Sequence, residues 1–128
     1  MDFQAIANAF TSHYYRIFEN PEARLSLSSL YRPESMLVWE GSQYKGTENI
    51  LVALNKTELK TVKTHVSSKD ATPSVEGGVL VSTTSDLVVM LANEHDKPMK
   101  FSMTFLLQPI PGQSGGYFIY SQIFRLVI

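Results

Sequence analysis

The residues of this chain that could carry chemistry are few. Its 3 histidines, His13, His65 and His95, lie on three separate predicted elements without metal-ligand spacing, so the sequence predicts no metal site. The chain contains no cysteine, which excludes thiolate catalysis, disulfides and cysteine-ligated zinc. Residues 112–116 match the Gly-x-Ser-x-Gly pattern, but a nucleophile elbow lies between a strand and a helix. This segment lies between two predicted strands, so we interpret it as a hairpin loop.

Two acidic features have both a chemical and an ordinary interpretation. Glu40 follows Trp39, the single tryptophan of the chain, at the end of a short predicted strand whose alternation buries the indole. A carboxylate at the rim of an apolar pocket could act as a general base, and a carboxylate at a strand end could simply face solvent. Glu94 and Asp96 belong to a predicted hairpin tip, which is either a solvated turn or a contact for a basic partner.

Helices are predicted in the first part of the chain. Apolar residues at helical spacing predict an amphipathic helix of about five turns over residues 3–18, and Asn20-Pro21 ends it. A short second helix is predicted over residues 22–31, a strand over residues 36–40, and a third helix with Thr47 as its N-cap. The residues predicted to face inward from the second helix are Leu25, Leu27 and Leu30.

From Leu59 onward the hydrophobic period changes to two, which is typical of strands. Strands are predicted around residues 62–68, 79–92, 99–107 and 117–127, with turns rich in glycine and proline between them. Helices followed by hairpin-linked strands indicate an α+β domain with an antiparallel sheet.

The last predicted strand carries aromatic or aliphatic side chains on both faces, whereas a sheet packed on helices from one side should have a polar outer face. Strict alternation assigns Tyr117, Ile119 and Ile123 to one face and Phe118, Tyr120, Phe124 and Leu126 to the other. Either the sheet curls to enclose a pocket, or a second copy covers the outer face. A homodimer is the simplest cover.

Length and charge set further limits. The 128 residues predict one domain over residues 1–128. A formal net charge of −1 argues against a nucleic-acid binder or a polybasic membrane binder. The N-terminus lacks the basic region of a secretory signal, and the longest apolar run, Leu87–Ala92, is too short for a membrane span. We therefore expect a soluble intracellular protein.

Ordered motifs along nearly the whole chain resemble the nuclear transport factor 2 family. They include the aromatic pattern of residues 3–18, the central segment 30–37 with Trp-Glu-Gly at 39–41, and the segments 69–73 and 123–126. The resemblance implies an NTF2-like cone, in which a curved antiparallel sheet wraps around N-terminal helices and encloses a pocket. It also implies a homodimer through the outer sheet face.

The resemblance further implies a non-enzymatic carrier without a cofactor, whose pocket accepts an aromatic side chain of the GTPase Ran in its GDP form. Glu40 would be the first carboxylate at the pocket mouth, and the acidic turn would supply Glu94 and Asp96. FG-repeat nucleoporins would bind near Phe3 and Pro73. The residues that would form the pocket with Glu40 are Trp39, Leu59, Val62 and Phe124.

One family feature does not carry over. The family usually has an inward histidine on the strand before Asp70, where this chain has Thr64, and His65 stands one residue out of register. Strand parity predicts that His65 faces away from the pocket.

The implied function is nuclear import of Ran, with the protein present in cytoplasm and nucleus and at the nuclear pore complex. Two alternatives stay open. The same cone hosts isomerases and dehydratases, which need a second polar group aimed at the ligand, and it hosts scaffold subunits of mRNA export or peptide binding.

Overall fold

The structure, a computed structural model, describes residues 2–55, 61–90, 99–113 and 115–127. Two α-helices and six strands form its regular elements. The helices are α1 (Phe3–Phe18) and α2 (Thr47–Leu54), and the strands are β1 (Met36–Trp39), β2 (Ser42–Lys45), β3 (Thr61–Pro73), β4 (Val79–Met90), β5 (Met99–Pro109) and β6 (Tyr117–Val127). The segments Arg24–Leu30 and Val75–Gly77 are 3₁₀-helical.

Helix α1 has the bounds that the apolar spacing predicts. Its first turn is capped by Asp2, whose carboxylate accepts a hydrogen bond from the Ala5 amide at 3.1 Å; such a cap satisfies an otherwise unpaired helix donor. Its apolar stripe, which includes Ala7, Tyr14 and Phe18, is fully buried against the sheet. The α1 stripe therefore forms one wall of the hydrophobic core.

The second helical segment differs from the prediction. It is a 3₁₀ helix, in which three residues make a turn and positions three apart share a face. That period brings Arg24 inward with Leu27, whereas Leu25 is 67% exposed. The prediction that Leu25 faces inward is therefore wrong.

The third predicted helix begins where expected but is capped differently. Thr47 is its first residue, and Gly46 is the N-cap with a φ of +86°, a conformation that glycine adopts without a steric cost. Ile50 and Leu54 of α2 are fully buried. The helix thus packs beside the 3₁₀ segment.

The sheet is open and mixed. Its strand order is β2-β1-β6-β5-β4-β3, and all neighbours pair antiparallel except β1 and β6, which are parallel. The predicted wholly antiparallel sheet is wrong at this one pairing. β1 lies near the start of the chain and β6 near its end. Because the two strands are far apart in sequence, no local pattern shows whether they pair parallel or antiparallel.

A β-bulge corrects the assignment of faces on β6. The register between β5 and β6 shifts between Leu106 and Leu107, which inserts one extra residue and moves the alternation by one position. As a result Ile119 and Phe124 are both buried, whereas Ile123 is 50% exposed. The prediction that Ile119 and Ile123 share a face is wrong for this reason.

The outer face of the sheet carries exposed apolar side chains. Leu80 is 38%, Tyr120 43% and Ile123 50% exposed, while the inner face holds the fully buried residues of β5 such as Phe101 and Phe105.

Among the described residues, no helix is long and apolar enough to cross a bilayer.

Candidate functional site

Two aromatic rings at one end of the sheet form the centre of the candidate site. Trp39 ends β1, and Phe124 lies directly opposite it on the parallel strand β6. Their ring centroids are 3.8 Å apart with an interplanar angle of 6°, which is a stacked pair. Phe124 is only 2% exposed, whereas the indole is half-buried. The stack therefore presents one partly exposed aromatic face above a buried one.

The rings around the stack hold it in place. Phe18, the last residue of α1, lies 6.3 Å from Trp39 between ring centroids, and Phe101 of β5 lies 5.2 Å from Phe124. Aromatic pairs at these separations add about 0.5–1.5 kcal/mol beyond the area that they bury. Helix α1 and three strands thus converge on a rigid apolar platform.

Glu40 is positioned by a two-residue hairpin turn. Trp39 pairs with Ser42 across β1 and β2, and the residues between them, Glu40 and Gly41, have φ values of +51° and +87°. Two consecutive positive φ values are typical of the type I′ turn that joins tight hairpins. The strand therefore ends at Trp39, and the turn directs the exposed side chain of Glu40 toward β6.

The carboxylate of Glu40 has a structural partner. Its Oε1 accepts a short hydrogen bond from the backbone amide of Leu126, and its own amide donates to the carbonyl of Phe124 at 3.1 Å. β6 continues past the end of β1, so this side chain satisfies an amide that no strand partner reaches. The exposed carboxylate is thereby fixed beside the Trp39–Phe124 stack.

A closed ring of polar side chains lies inside the core. The hydroxyl of Tyr31 donates to Oε1 of Gln122 at 2.5 Å, Nε2 of Gln122 donates to the hydroxyl of Tyr14 at 2.8 Å, and the two hydroxyls are 3.2 Å apart. Nε2 of Gln122 also lies 3.1 Å from the sulfur of Met103. All three polar residues are at most 2% exposed.

Burial keeps these phenols neutral. It raises the pKa of Tyr14 to about 12, because a phenolate would lose its hydration there, and it raises the pKa of Tyr31 well above its ordinary value for the same reason. A phenol that stays protonated to such a pH cannot serve as a base near neutral pH. The ring is a structural network whose donors and acceptors are directed at one another.

Four predicted site residues fall outside what the structure describes. Leu59, Glu94 and Asp96 lie outside the described residues. Val62 belongs to β3 and pairs with Val89 of β4, but its side chain is likewise outside the description. Their assignment to the pocket and its acidic rim stays a prediction.

The strand residues Thr64 and His65 face opposite ways, as strand parity predicts. The amide and hydroxyl of Thr64 donate to Oε2 of Glu19 at 2.6 and 3.1 Å. His65 is on the other face, with its side chain 80% exposed and its Nδ1 4.0 Å from Oδ2 of Asp86. His65 therefore points away from α1, and its predicted orientation away from the pocket stays a prediction.

Phe3 and Pro73 belong to two elements, α1 and β3, that run side by side. Phe3 begins α1 and is half-buried against the core, and the exposed Pro73 ends β3. Helix α1 follows the β3 edge in the opposite direction, since Gln4 reaches the Lys69 carbonyl at 3.4 Å while Glu19 reaches Thr64. The N-terminal end of α1 therefore lies toward the Pro73 end of β3.

Sequence reasoning did not find Glu19, Arg24 or Gln122. Glu19 bonds a strand 45 residues away, and Gln122 bonds helix α1 108 residues away. Arg24 bonds the carbonyl of Phe18, six residues away, and that of Leu54, 30 residues away. A polar residue within an apolar pattern was the one available signal. Across the described part of the chain, no cluster of three or more His, Asp or Glu could hold a metal ion.

Comparison with known proteins assigns the family. The model of the nuclear transport factor 2 (NTF2) domain matches residues 6–126. This chain belongs to the nuclear transport factor 2 family. A protein named nuclear transport factor 2 from Davidiella tassiana is 39% identical over 127 residues, covering 98% of this chain and 95% of that protein. The structure of nuclear transport factor 2 from Cryptosporidium parvum has a TM-score of 0.83 at 34% identity and covers 98% of this chain and 94% of its own.

The NTF2-like fold also includes proteins of other kinds. A putative scytalone dehydratase from Novosphingobium aromaticivorans superimposes with a TM-score of 0.79 at 12% identity, covering 98% of this chain and 84% of its own. At that identity the likeness shows the fold alone. Function must therefore be argued from the family membership and from the residues of the site.

Proposed function

We propose that this protein is a non-enzymatic carrier of nuclear transport that binds Ran in its GDP form and FG-repeat nucleoporins. The observation that carries the proposal is the family match over residues 6–126 together with relatives named nuclear transport factor 2 at 39% identity over nearly the full chain. The names of these relatives support a role in nuclear transport. Transit between cytoplasm and nucleus through the nuclear pore complex is part of the same proposal.

The pocket mouth would recognise Ran through an aromatic anchor and a carboxylate. The half-buried Trp39, stacked on Phe124 at 3.8 Å, offers an apolar face to an aromatic side chain of the partner. The carboxylate of Glu40 is held beside it by the Leu126 amide, so a basic group of Ran would meet a charge that is already oriented. Fixed charges of this kind raise association rates and orient the partner. In this proposal Leu59 and Val62 complete the pocket, and Glu94 and Asp96 add further carboxylates at its mouth.

The exposed outer sheet face supports a homodimer. Leu80, Tyr120 and Ile123 leave apolar surface on that face, and apolar surface of this kind is usually covered by a partner. A second copy would cover it through a two-fold interface, in which the same patch serves both subunits.

FG repeats would bind near Phe3 and Pro73, at the end of the molecule toward which the N-terminus of α1 and the C-terminus of β3 both lie. The partly exposed phenyl ring of Phe3 and the exposed Pro73 provide a small apolar surface for a phenylalanine of the repeat. Weak contacts of this size suit transit, because a repeat chain engages many of them in succession and its effective concentration is high.

The core polar groups favour a carrier over an enzyme. The isomerases and dehydratases of this fold need a second polar group that faces the ligand. Here Tyr14, Tyr31 and Gln122 bond one another, and the two phenols, whose pKa burial raises further above neutral, are protonated near neutral pH. A ligand in the pocket would find no free base in this network.

Replacing Glu40 tests the proposal. We expect Glu40→Lys to weaken Ran-GDP binding by about 2–5 kcal/mol, roughly 30-fold or more, because it opposes a basic partner with a like charge. Isothermal titration calorimetry measures the affinity. Glu40→Gln is the matched control: its amide oxygen still accepts from Leu126, so it separates loss of charge from loss of the structural hydrogen bond.

Two results would count against the assignment. Unchanged affinity in both Glu40 variants would exclude the carboxylate from the interface. A pull-down with Ran loaded with GDP or GTP tests the carrier role itself: we expect clear preference for the GDP form, and no binding in either state would contradict the proposal. Gel filtration distinguishes a homodimer from a scaffold subunit of mRNA export or peptide binding, which would stay monomeric or aggregate without its partner.

A further inference from the structure

A second apolar depression lies on the helical side of the molecule, between the 3₁₀ segment and α2. Its volume is about 570 Å³. Leu25 and Val52 line it, and these side chains are 67% and 68% exposed. We call it the helix groove, and its lining includes Glu22, Leu25, Glu48, Leu51, Val52 and Asn55.

The exposure of Leu25 is a consequence of how Arg24 is held. The Nε of Arg24 donates to the Phe18 carbonyl at 2.7 Å and its Nη1 donates to the Leu54 carbonyl at 3.5 Å, so the guanidinium joins the C-terminal ends of α1 and α2. The cation therefore points inward, and the adjacent leucine must point outward. The fold itself directs an aliphatic side chain into the groove.

One face of α2 supplies the opposite wall. Glu48, Leu51, Val52 and Asn55 are spaced i, i+3, i+4 and i+7, which places them in a row on a helix. The row covers seven residue steps, about 10 Å of helix axis. That length accommodates about two turns of a bound helix or a short extended segment.

The electrostatics of the groove select a cation. Glu22 and Glu48 are its charged lining residues among the described part of the chain, and both are exposed. The C-terminal end of α1 adds the negative end of a helix dipole, whereas α2 lies along the groove with both of its ends beside it and so adds little net field. Arg24 offsets part of that field, but it is buried beneath the groove and bound to helix carbonyls. A partner therefore meets aliphatic surface flanked by carboxylates.

We propose that the helix groove docks a short amphipathic segment of a partner protein, with aliphatic side chains between Leu25 and Val52 and lysine or arginine side chains at Glu22 and Glu48. The groove shares no residue with the sites proposed for Ran and FG repeats. Occupancy of the groove is therefore a separate interaction, and its failure would leave the carrier proposal intact.

The test uses the ¹⁵N-labelled full chain and a designed peptide, Ac-Lys-Leu-Leu-Lys-Ala-Leu-Leu-Lys-amide. We expect saturable amide shifts confined to residues 22–25 and 48–55, and binding at least about tenfold weaker for the same peptide with every lysine replaced by glutamate. Val52→Asn, which removes the aliphatic contact without adding charge, should weaken binding about tenfold. Val75→Asn is the matched control, because Val75 is 71% exposed outside the groove and the substitution is the same.

Several outcomes would overturn the proposal. They are the absence of saturation at about 1 mM peptide, shifts centred outside the groove, equal binding of the anionic peptide, and equal loss of binding in Val52→Asn and Val75→Asn. Amide shifts at residues 22–25 and 48–55 that change on dilution of the unliganded protein would mean that a second copy occupies the groove instead. A circular dichroism melt checks that each variant is folded.

Discussion

The buried tyrosine ring makes the stability of this protein sensitive to alkaline pH. Burial raises the pKa of Tyr14 from its ordinary value of 10.0 to about 12. The folded chain therefore keeps the Tyr14 proton at a pH where the unfolded chain releases it. The corresponding stability is fully present below about pH 10 and is lost as the pH rises toward about 12.

The size of the effect follows from the two pKa values of Tyr14. A pKa that is about two units higher in the folded chain than in the unfolded chain corresponds to about 3 kcal/mol of unfolding free energy. That is a large part of the total of about 5–15 kcal/mol for a domain. Between the two pKa values, the free energy should fall by about 1.4 kcal/mol per pH unit for each retained proton. Tyr31, whose pKa is also raised by burial, adds to the slope.

Urea unfolding followed by circular dichroism at about pH 8 to 11.5 measures this slope. Tyr14→Phe should be destabilised by about 1–3 kcal/mol at pH 8, because Nε2 of Gln122 loses its 2.8 Å acceptor. Above about pH 10 the free energy of unfolding of Tyr14→Phe should fall less steeply with pH than that of the wild type, by about 1.4 kcal/mol per pH unit. Tyr120→Phe, which removes an exposed phenol, is the matched control. If the unfolding free energies of the wild type and Tyr14→Phe fell equally steeply with pH above pH 10, burial of Tyr14 would not be the source of the alkaline sensitivity.

Two further predictions concern Phe3 and Arg24. Phe3→Ala should lose retention on immobilised FG-repeat beads by about tenfold while Ran-GDP binding in calorimetry persists; loss of both would indicate misfolding instead. Arg24→Met should lower the free energy of unfolding by about 1–3 kcal/mol, because the carbonyls of Phe18 and Leu54 each lose a buried donor. A urea titration measures it, and an unchanged midpoint would show that solvent replaces the guanidinium.

Glu40 shows how one side chain can serve both the fold and a site. Its carboxylate satisfies the Leu126 amide, and its exposure leaves charge available to a partner. The sequence posed a choice between a solvent-facing strand end and a pocket rim. The structure shows that the strand ends at Trp39 and that the turn holds the carboxylate beside the aromatic stack, and the role of Glu40 at a pocket rim stays a proposal.

Local pattern determined much of this protein. Helical spacing predicts α1 over Phe3–Phe18, because apolar residues at that spacing form a single face that packs on the core only when the segment is helical. Period-two alternation predicts the long strands, and the Trp-Glu-Gly motif within 39–41 is part of the family resemblance. These features depend on neighbours a few residues apart, which the sequence displays directly.

Tertiary structure decided what depends on distant partners. The bulge at Tyr120, opposite Leu106 and Leu107, places Ile119 on the inner face with Phe124, and the parallel pairing of β1 with β6 brings Trp39 onto Phe124. Arg24 faces inward because two helix ends converge on it. A sequence records which residues are apolar and how they are spaced, but register, bulges and the convergence of helix ends are set only when remote segments pack.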